Sequence, residues 1–210
     1  MNLSKVYPWI LKSPRRKLVL LNFSQPLTAN QMSKRTGLSL DACSYVFWEF
    51  TLKKLAACLN NAAQRNRVYW LSRLGLVCRR RSFRDQEKEM PAPFVPDVDW
   101  DLYGQVCHRH RSAIIKALRE PMQPAAVKKR ARALDPTLRM SGNNARDVMR
   151  LFRQRGLVVP LNEAGRRFPR YELAEMAKQM RELLFGADHG SQGNGRTEGN
   201  TPPPQSAKQS

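Results

Sequence analysis

Apolar positions in the first third of the chain recur at helical spacing and then give way to short β-compatible runs. Residues 15–23 bring Leu18, Val19 and Leu21 together and stop before Ser24-Gln25-Pro26, because a residue ahead of proline is pushed out of the helical region. Thr28 is the expected N-cap of a helix over 29–36, with Met32 inward, Lys34 and Arg35 outward, and Gly37 supplying the left-handed stop. A third helix over 42–54, capped by Ser39 or Asp41, carries Val46, Phe47, Phe50 and Leu55 at three-to-four spacing. Residues 56–59 and 68–71 then read as a hairpin around the polar tip 60–67.

The same order recurs further along. Residues 59–72, LNNAAQRNRVYWLS, align without a gap on residues 161–174, LNEAGRRFPRYELA, 102 positions later. Upstream, Gln25-Pro26-Leu27 and the apolar run 18–21 match Glu120-Pro121-Met122 and 113–116 at an offset of 95, so the second copy holds seven extra residues, placed near 135–144. Its helices are expected over 111–118, 125–134 and 143–155, with Gly156 as C-cap and strands at 157–161 and 170–173. A closing amphipathic helix over 173–185, with Leu173, Met176, Ala177, Met180, Leu183 and Leu184 on one face, is the candidate surface for a homodimer. The expected fold is mainly α with small β-hairpins (α+β), in two modules over 1–81 and 100–185. They are joined by a Pro-rich acidic linker over 82–99 and followed by a disordered tail over 186–210.

Charge changes the picture from fold to partner. Lys and Arg number 37 against 17 Asp and Glu, a net +20, which points to a polyanion. No apolar run approaches the roughly 20 residues of a membrane span, and the N-terminus has no secretory h-region, so a cytoplasmic, nucleoid-associated protein with no membrane partner is expected. Enzymatic chemistry finds no footing. The three histidines, His108, His110 and His189, make no Ser/His/Asp set, there is no GxxxxGK[ST] loop, and Asp97, Asp99 and Asp101 lack the glycine and glutamate of a calcium loop. Cys43, Cys58, Cys78 and Cys107 form no CxxC pair, and Cys107-His108-Arg109-His110 lacks partner ligands, so no metal or other cofactor is expected. Cys78 sits beside Arg79-Arg80-Arg81, which would lower its pKa and make it a redox-sensor candidate.

The runs SPRRKLVLLNF, QPLTANQMSKRTGLSL and CLNNAAQRNRVYWLSRLG resemble a winged helix-turn-helix domain of the MarR/ArsR-like kind found in prokaryotic transcription regulators. RSAIIKALREPMQPAAVKKRA and RQRGLVVPLNEAGRRFPRYELA resemble the same domain, so the resemblance implies two winged-helix domains in tandem within residues 7–185. It further implies sequence-specific double-stranded DNA binding and transcription regulation, with the third helix in the major groove and the wing on the backbone. The first copy departs from the pattern in carrying Lys54 where a glycine is usual.

On that frame the second copy offers Asn143, Asn144, Arg146 and Arg150 for base readout, since Asn pairs bidentately with adenine and Arg with guanine. Lys128, Lys129, Arg130 and Arg132 on the second helix, and Arg166, Arg167 and Arg170 on the wing, are backbone candidates, with Arg153 in support. The first copy contributes Lys34, Arg35, Arg65 and Arg67 to the same role. Its third helix instead presents Tyr45 and Trp48, residue types enriched in protein interfaces. Two alternative readings are a replication or partition initiator of a plasmid or mobile element, and a protein-interaction scaffold with non-specific nucleic-acid affinity.

Overall fold

The computed structural model describes residues 3–161 and 169–186. The first half runs α1 (Leu3–Leu11), α2 (Pro14–Leu21), β1 (Leu27–Thr28), α3 (Ala29–Thr36), α4 (Leu40–Leu52), β2 (Ala56–Cys58), β3 (Val68–Leu71) and α5 (Arg73–Arg84). The second runs α6 (Trp100–Val106), α7 (Arg109–Ala117), α8 (Pro124–Leu134), α9 (Gly142–Gln154), β4 (Val158–Leu161), β5 (Arg170–Leu173) and α10 (Glu175–Phe185). The chain is thus mainly helical with small antiparallel sheets, and among the described residues no helix is long and apolar enough to cross a membrane.

Local chemistry sets the boundaries. Ser39, Ser72 and Ser141 each cap a helix, accepting from the backbone N–H of Ala42, Gly75 and Asn144. At α3 the cap is reciprocal: Thr28 Oγ1 accepts from Gln31 N–H while Gln31 Oε1 accepts from Thr28 N–H at 2.8 Å. Gly37 follows with φ +72°, a conformation that lacks penalty only without a Cβ.

Among the described residues the two halves share one register from the third core helix onward. Leu55 N–H donates to Phe50 O and Leu157 N–H to Phe152 O; Ser72 N–H donates to Leu55 O and Ala174 N–H to Leu157 O. Lys54 (φ +53°) and Gly156 (φ +66°) occupy the same left-handed position, so the first copy makes with a lysine the turn that the second makes with a glycine. In the first sheet, of order β1-β3-β2, Leu27 pairs with Tyr69; its counterpart is the isolated bridge Met122 to Tyr171 beside the β4-β5 hairpin. The extra residues of the second copy lie in the longer α8 and in the 135–141 connection, where 37–39 suffice in the first.

Three helices are additions to the sequence expectation. α1 and α6 precede the core helices as an equivalent pair, and α5 extends the first hairpin as α10 extends the second. Because α5 continues through Arg84, the stretch expected as linker begins inside a helix. Its remainder lies along the first half: Phe94 N–H donates to Ser24 O, and Arg79 donates to the carbonyls of Leu21 and Pro91. Arg79 is fully buried, its guanidinium 5.0 Å from the Phe83 ring centroid.

One core gathers Ile10, Leu20, Phe23, Phe47, Phe50 and Leu55, the other Tyr103, Ile114, Val127, Met149, Phe152 and Leu157. The closing helix α10 buries Ala177, Met180 and Leu183 in the second core, so the stripe expected as a dimer surface is used within its own half, and Met176 points outward. The halves also dock on each other. Val68 of β3 belongs to the second core, Gly104 of α6 lies against Asn60 and Asn66 of the first hairpin's tip, and Gln31 Nε2 donates to Tyr103 Oη at 2.8 Å. Gln25 Nε2 donates to Leu183 O across the same junction.

Candidate nucleic-acid interface

Helix α9 separates its residues cleanly. Ala145, Met149 and Phe152 are buried, whereas Asn143, Asn144, Arg146, Asp147, Arg150, Arg153 and Gln154 are exposed along the opposite side. Arg146 Nη2 donates to Asn143 Oδ1 at 2.6 Å, and Arg150 lies 3.5 Å from Asp147 one turn earlier. Both arginines are surface groups in high dielectric, so these contacts orient the forks without committing them. The four residues expected to read bases therefore share one outward face, starting at the Ser141 cap.

Helix α8 brings further charge to the start of that face. Lys128 Nζ lies 4.0 Å from where a Cβ would sit on Gly142, the first residue of α9. Lys129 and Arg132 are exposed. Arg130 is differently placed: it bonds Glu120 at 2.7 Å and Met122 Sδ at 3.6 Å, which turns it toward the α7-α8 connection. Sequence reasoning missed Arg139 and Arg155, both exposed at the two ends of α9; Arg139 belongs to the inserted connection, between the buried Leu138 and Met140. The alternation of one exposed arginine between two buried apolar residues was the available signal.

The hairpin residues divide. Arg170 turns its guanidinium back onto Pro121 O, through Nε at 2.9 Å and Nη2 at 2.6 Å, fastening the base of the second hairpin to the α7-α8 connection. Arg166 and Arg167 lie outside the described residues. In the first copy Arg67 Nε donates to Ala63 O within the tip and Arg65 is exposed beside the junction, on a hairpin whose tip is docked against α6. Arg35 is held by Ser24 Oγ at 2.8 Å. Lys34 lines an open groove of about 420 Å³ between the halves, together with His108, Arg109, Lys116 and Asp135. There the Thr137 hydroxyl and the Arg109 guanidinium hold the Asp135 carboxyl below its ordinary range.

Tyr45 and Trp48 are exposed on α4, with ring centroids 5.4 Å apart. α4 is the counterpart of α9, so the comparison is position by position: Trp48 stands where Arg150 does, Ser44 where Arg146 does, and Thr51 where Arg153 does.

Cys78 behaves differently from the sequence expectation. Cys78 is fully buried, and burial pushes its thiol up to about 11 in spite of Arg81, the reverse of what a redox sensor requires. His108 and His110 meet edge to face at 5.6 Å, and among the described residues no three metal-ligating side chains converge. Compared with known proteins, the chain matches no protein-family model and none of the curated proteins.

Proposed function

We propose that this chain is a sequence-specific double-stranded DNA-binding protein built from two winged-helix domains, residues 1–81 and 100–185, and that it acts as a prokaryotic transcription regulator at the nucleoid without catalysis. The observation that carries the reading is the contrast between the two equivalent helices. The outer face of α9 is made of amides and arginines whose geometry suits base edges, and Lys128 of α8 lies beside its N-terminal end, with Lys129 and Arg132 exposed on the same helix. In this reading α9 enters the major groove, Lys128, Lys129, Arg132 and Arg139 meet phosphates, and Arg170 acts indirectly by bracing the wing.

The test is selection of random duplex DNA by the full chain, followed by salt-titrated binding of the enriched sequence against a scrambled duplex. An enriched motif preferred at least about tenfold, or 1.4 kcal/mol, is expected. Binding that depends on charge alone, with no motif, would refute the reading.

The exposed Tyr45-Trp48 pair favours a second reading, in which the first copy serves a protein contact and only the second reads DNA. A footprint confined to one half-site per chain would support it, whereas two footprints per chain would make both copies readers.

A further inference from the structure

We propose that the groove between the two halves binds a small phosphorylated molecule, a phosphate monoester with an apolar body, and that this ligand bridges the halves. The groove has Asn30 and Lys34 of α3 on its first-half wall and Arg109, Ser112 and Lys116 of α7 on its second-half wall. A volume of about 420 Å³ suits a small molecule, and junctions between domains are where such sites tend to form.

Charge selects the ligand. Asp135 supplies the one carboxylate among the described residues lining the groove, and it is already engaged by Arg109 at 3.0 Å and by the Thr137 hydroxyl. Lys34 and Lys116 have no ion pair with any described residue, so two positive charges enter one cleft from opposite halves. Lys116 also borders Glu182, but Arg119 and Arg181 stand beside that carboxylate and outweigh it. Like charges across a junction cost free energy, and a cleft of one sign concentrates ions of the other. A phosphate monoester, with a second pKa near 6, is a dianion at neutral pH and matches the two lysines in number. The side-chain amides of Asn30 and Asn66 add neutral donors, and α7 opens at the groove with no side chain capping its first N–H groups.

The walls are set before a ligand arrives. Gln31, next to Asn30, donates to Tyr103 Oη at 2.8 Å and so fixes α3 against the second half, and Lys116 Nζ lies 5.1 Å from the Phe185 ring centroid. Phe185 and the half-exposed Leu134 give the groove an apolar side for the body of the molecule. No residue of α9 lines it, so this inference does not depend on DNA binding.

Phenyl phosphate is the probe, titrated to about 10 mM into the full chain at pH 7.5 and fixed ionic strength and followed by amide NMR shifts. The open groove predicts saturable one-to-one binding with a Kd on the order of 0.1–1 mM, with shifts on both walls. Lys34→Gln and Lys116→Gln should each weaken it about tenfold, as the loss of a charge-assisted hydrogen bond does, whereas Lys12→Gln, which removes an exposed charge outside the groove, should change it less than twofold. Lys34 is exposed, so its variant keeps the parent Tm and tests the site even if Lys116→Gln disturbs the packing of Phe185. Phenyl sulfate, a monoanion of the same shape, should bind at least about fivefold more weakly. Binding that never saturates, equal losses in Lys12→Gln and Lys34→Gln, or equal affinity for the sulfate would overturn the proposal. Displacement of phenyl phosphate by a scrambled DNA duplex would overturn it too, by making the groove a contact for backbone phosphates.

Discussion

Substituting Gly104 by alanine tests whether the two halves are held as one body. The added methyl would overlap the Asn60 carboxamide and stand 3.0 Å from the Asn66 carbonyl oxygen. Asn60 cannot simply retreat. It is 1% exposed, its Oδ1 accepts from Val68 N–H at 2.7 Å and from Cys58 Sγ at 3.5 Å, and its Nδ2 donates to Asn66 O at 3.2 Å. Moving it strands the buried Val68 N–H, at about 1–3 kcal/mol, and overpacking adds about 1–3 kcal/mol. Helix propensity gives back up to about 1 kcal/mol when glycine becomes alanine. The expected net loss is about 1–5 kcal/mol, concentrated at the junction. Urea unfolding followed by circular dichroism, with limited proteolysis between residues 85 and 99 as the local probe, reads it. Gly104→Ala should lower the midpoint and speed cleavage in the connecting segment. Gly142→Ala, whose methyl meets nothing closer than Lys128 Nζ at 4.0 Å, should stay within about 1 kcal/mol of the parent. A Gly104→Ala protein as stable and as protease-resistant as the parent would refute the docking argument.

Binding to duplex DNA should fall by about 10³ between 50 and 200 mM salt if six phosphates are neutralised, and Lys129→Ala or Arg132→Ala should each flatten the log-log slope by about 0.9. Arg146→Ala should instead cost about 1–3 kcal/mol on the selected sequence and little on a scrambled duplex; equal losses on both would remove Arg146 from base readout. Ser141→Ala, which deletes the α9 cap, should lower stability by about 0.5–2 kcal/mol in a thermal melt. Cys78 should resist iodoacetamide at pH 8 in the native chain and react after denaturation, as mass spectrometry of the alkylated peptides would show.

The hairpins and the helices before them were legible because their signals are local: a Thr28 cap, a Gly37 stop, Phe47 and Phe50 one turn apart, and a gap-free repeat over 59–72 and 161–174. The additional helices were hidden for specific reasons. α1 contains Pro8, a residue that argues against a helix interior, and α5 carries Arg79-Arg80-Arg81, a run that reads as solvated although Arg79 is enclosed by carbonyls from Leu21 and Pro91. Nothing local marks α6 as the platform for the first hairpin, because that role belongs to Gly104 only once Asn60 is folded against it. In the candidate site, the outward placement of Asn143, Asn144, Arg146 and Arg150 followed from helical period. The diversion of Arg170 to Pro121 and of Arg130 to Glu120 depended on partners 49 and 10 residues away, which periodicity does not see.

The shared register of α4 and α9 also makes the chain a natural recipient for grafting. Cys43, Val46, Phe47 and Phe50 hold α4 in place from one side, so Asp41→Asn, Ala42→Asn, Ser44→Arg, Tyr45→Asp, Trp48→Arg, Thr51→Arg and Leu52→Gln rewrite its outer side to the pattern of α9. If α9 reads DNA as proposed, such a chain would carry two copies of its outer surface on a scaffold with a fixed spacing set by the α6 junction, a ruler against which the separation of paired sites on DNA can be measured.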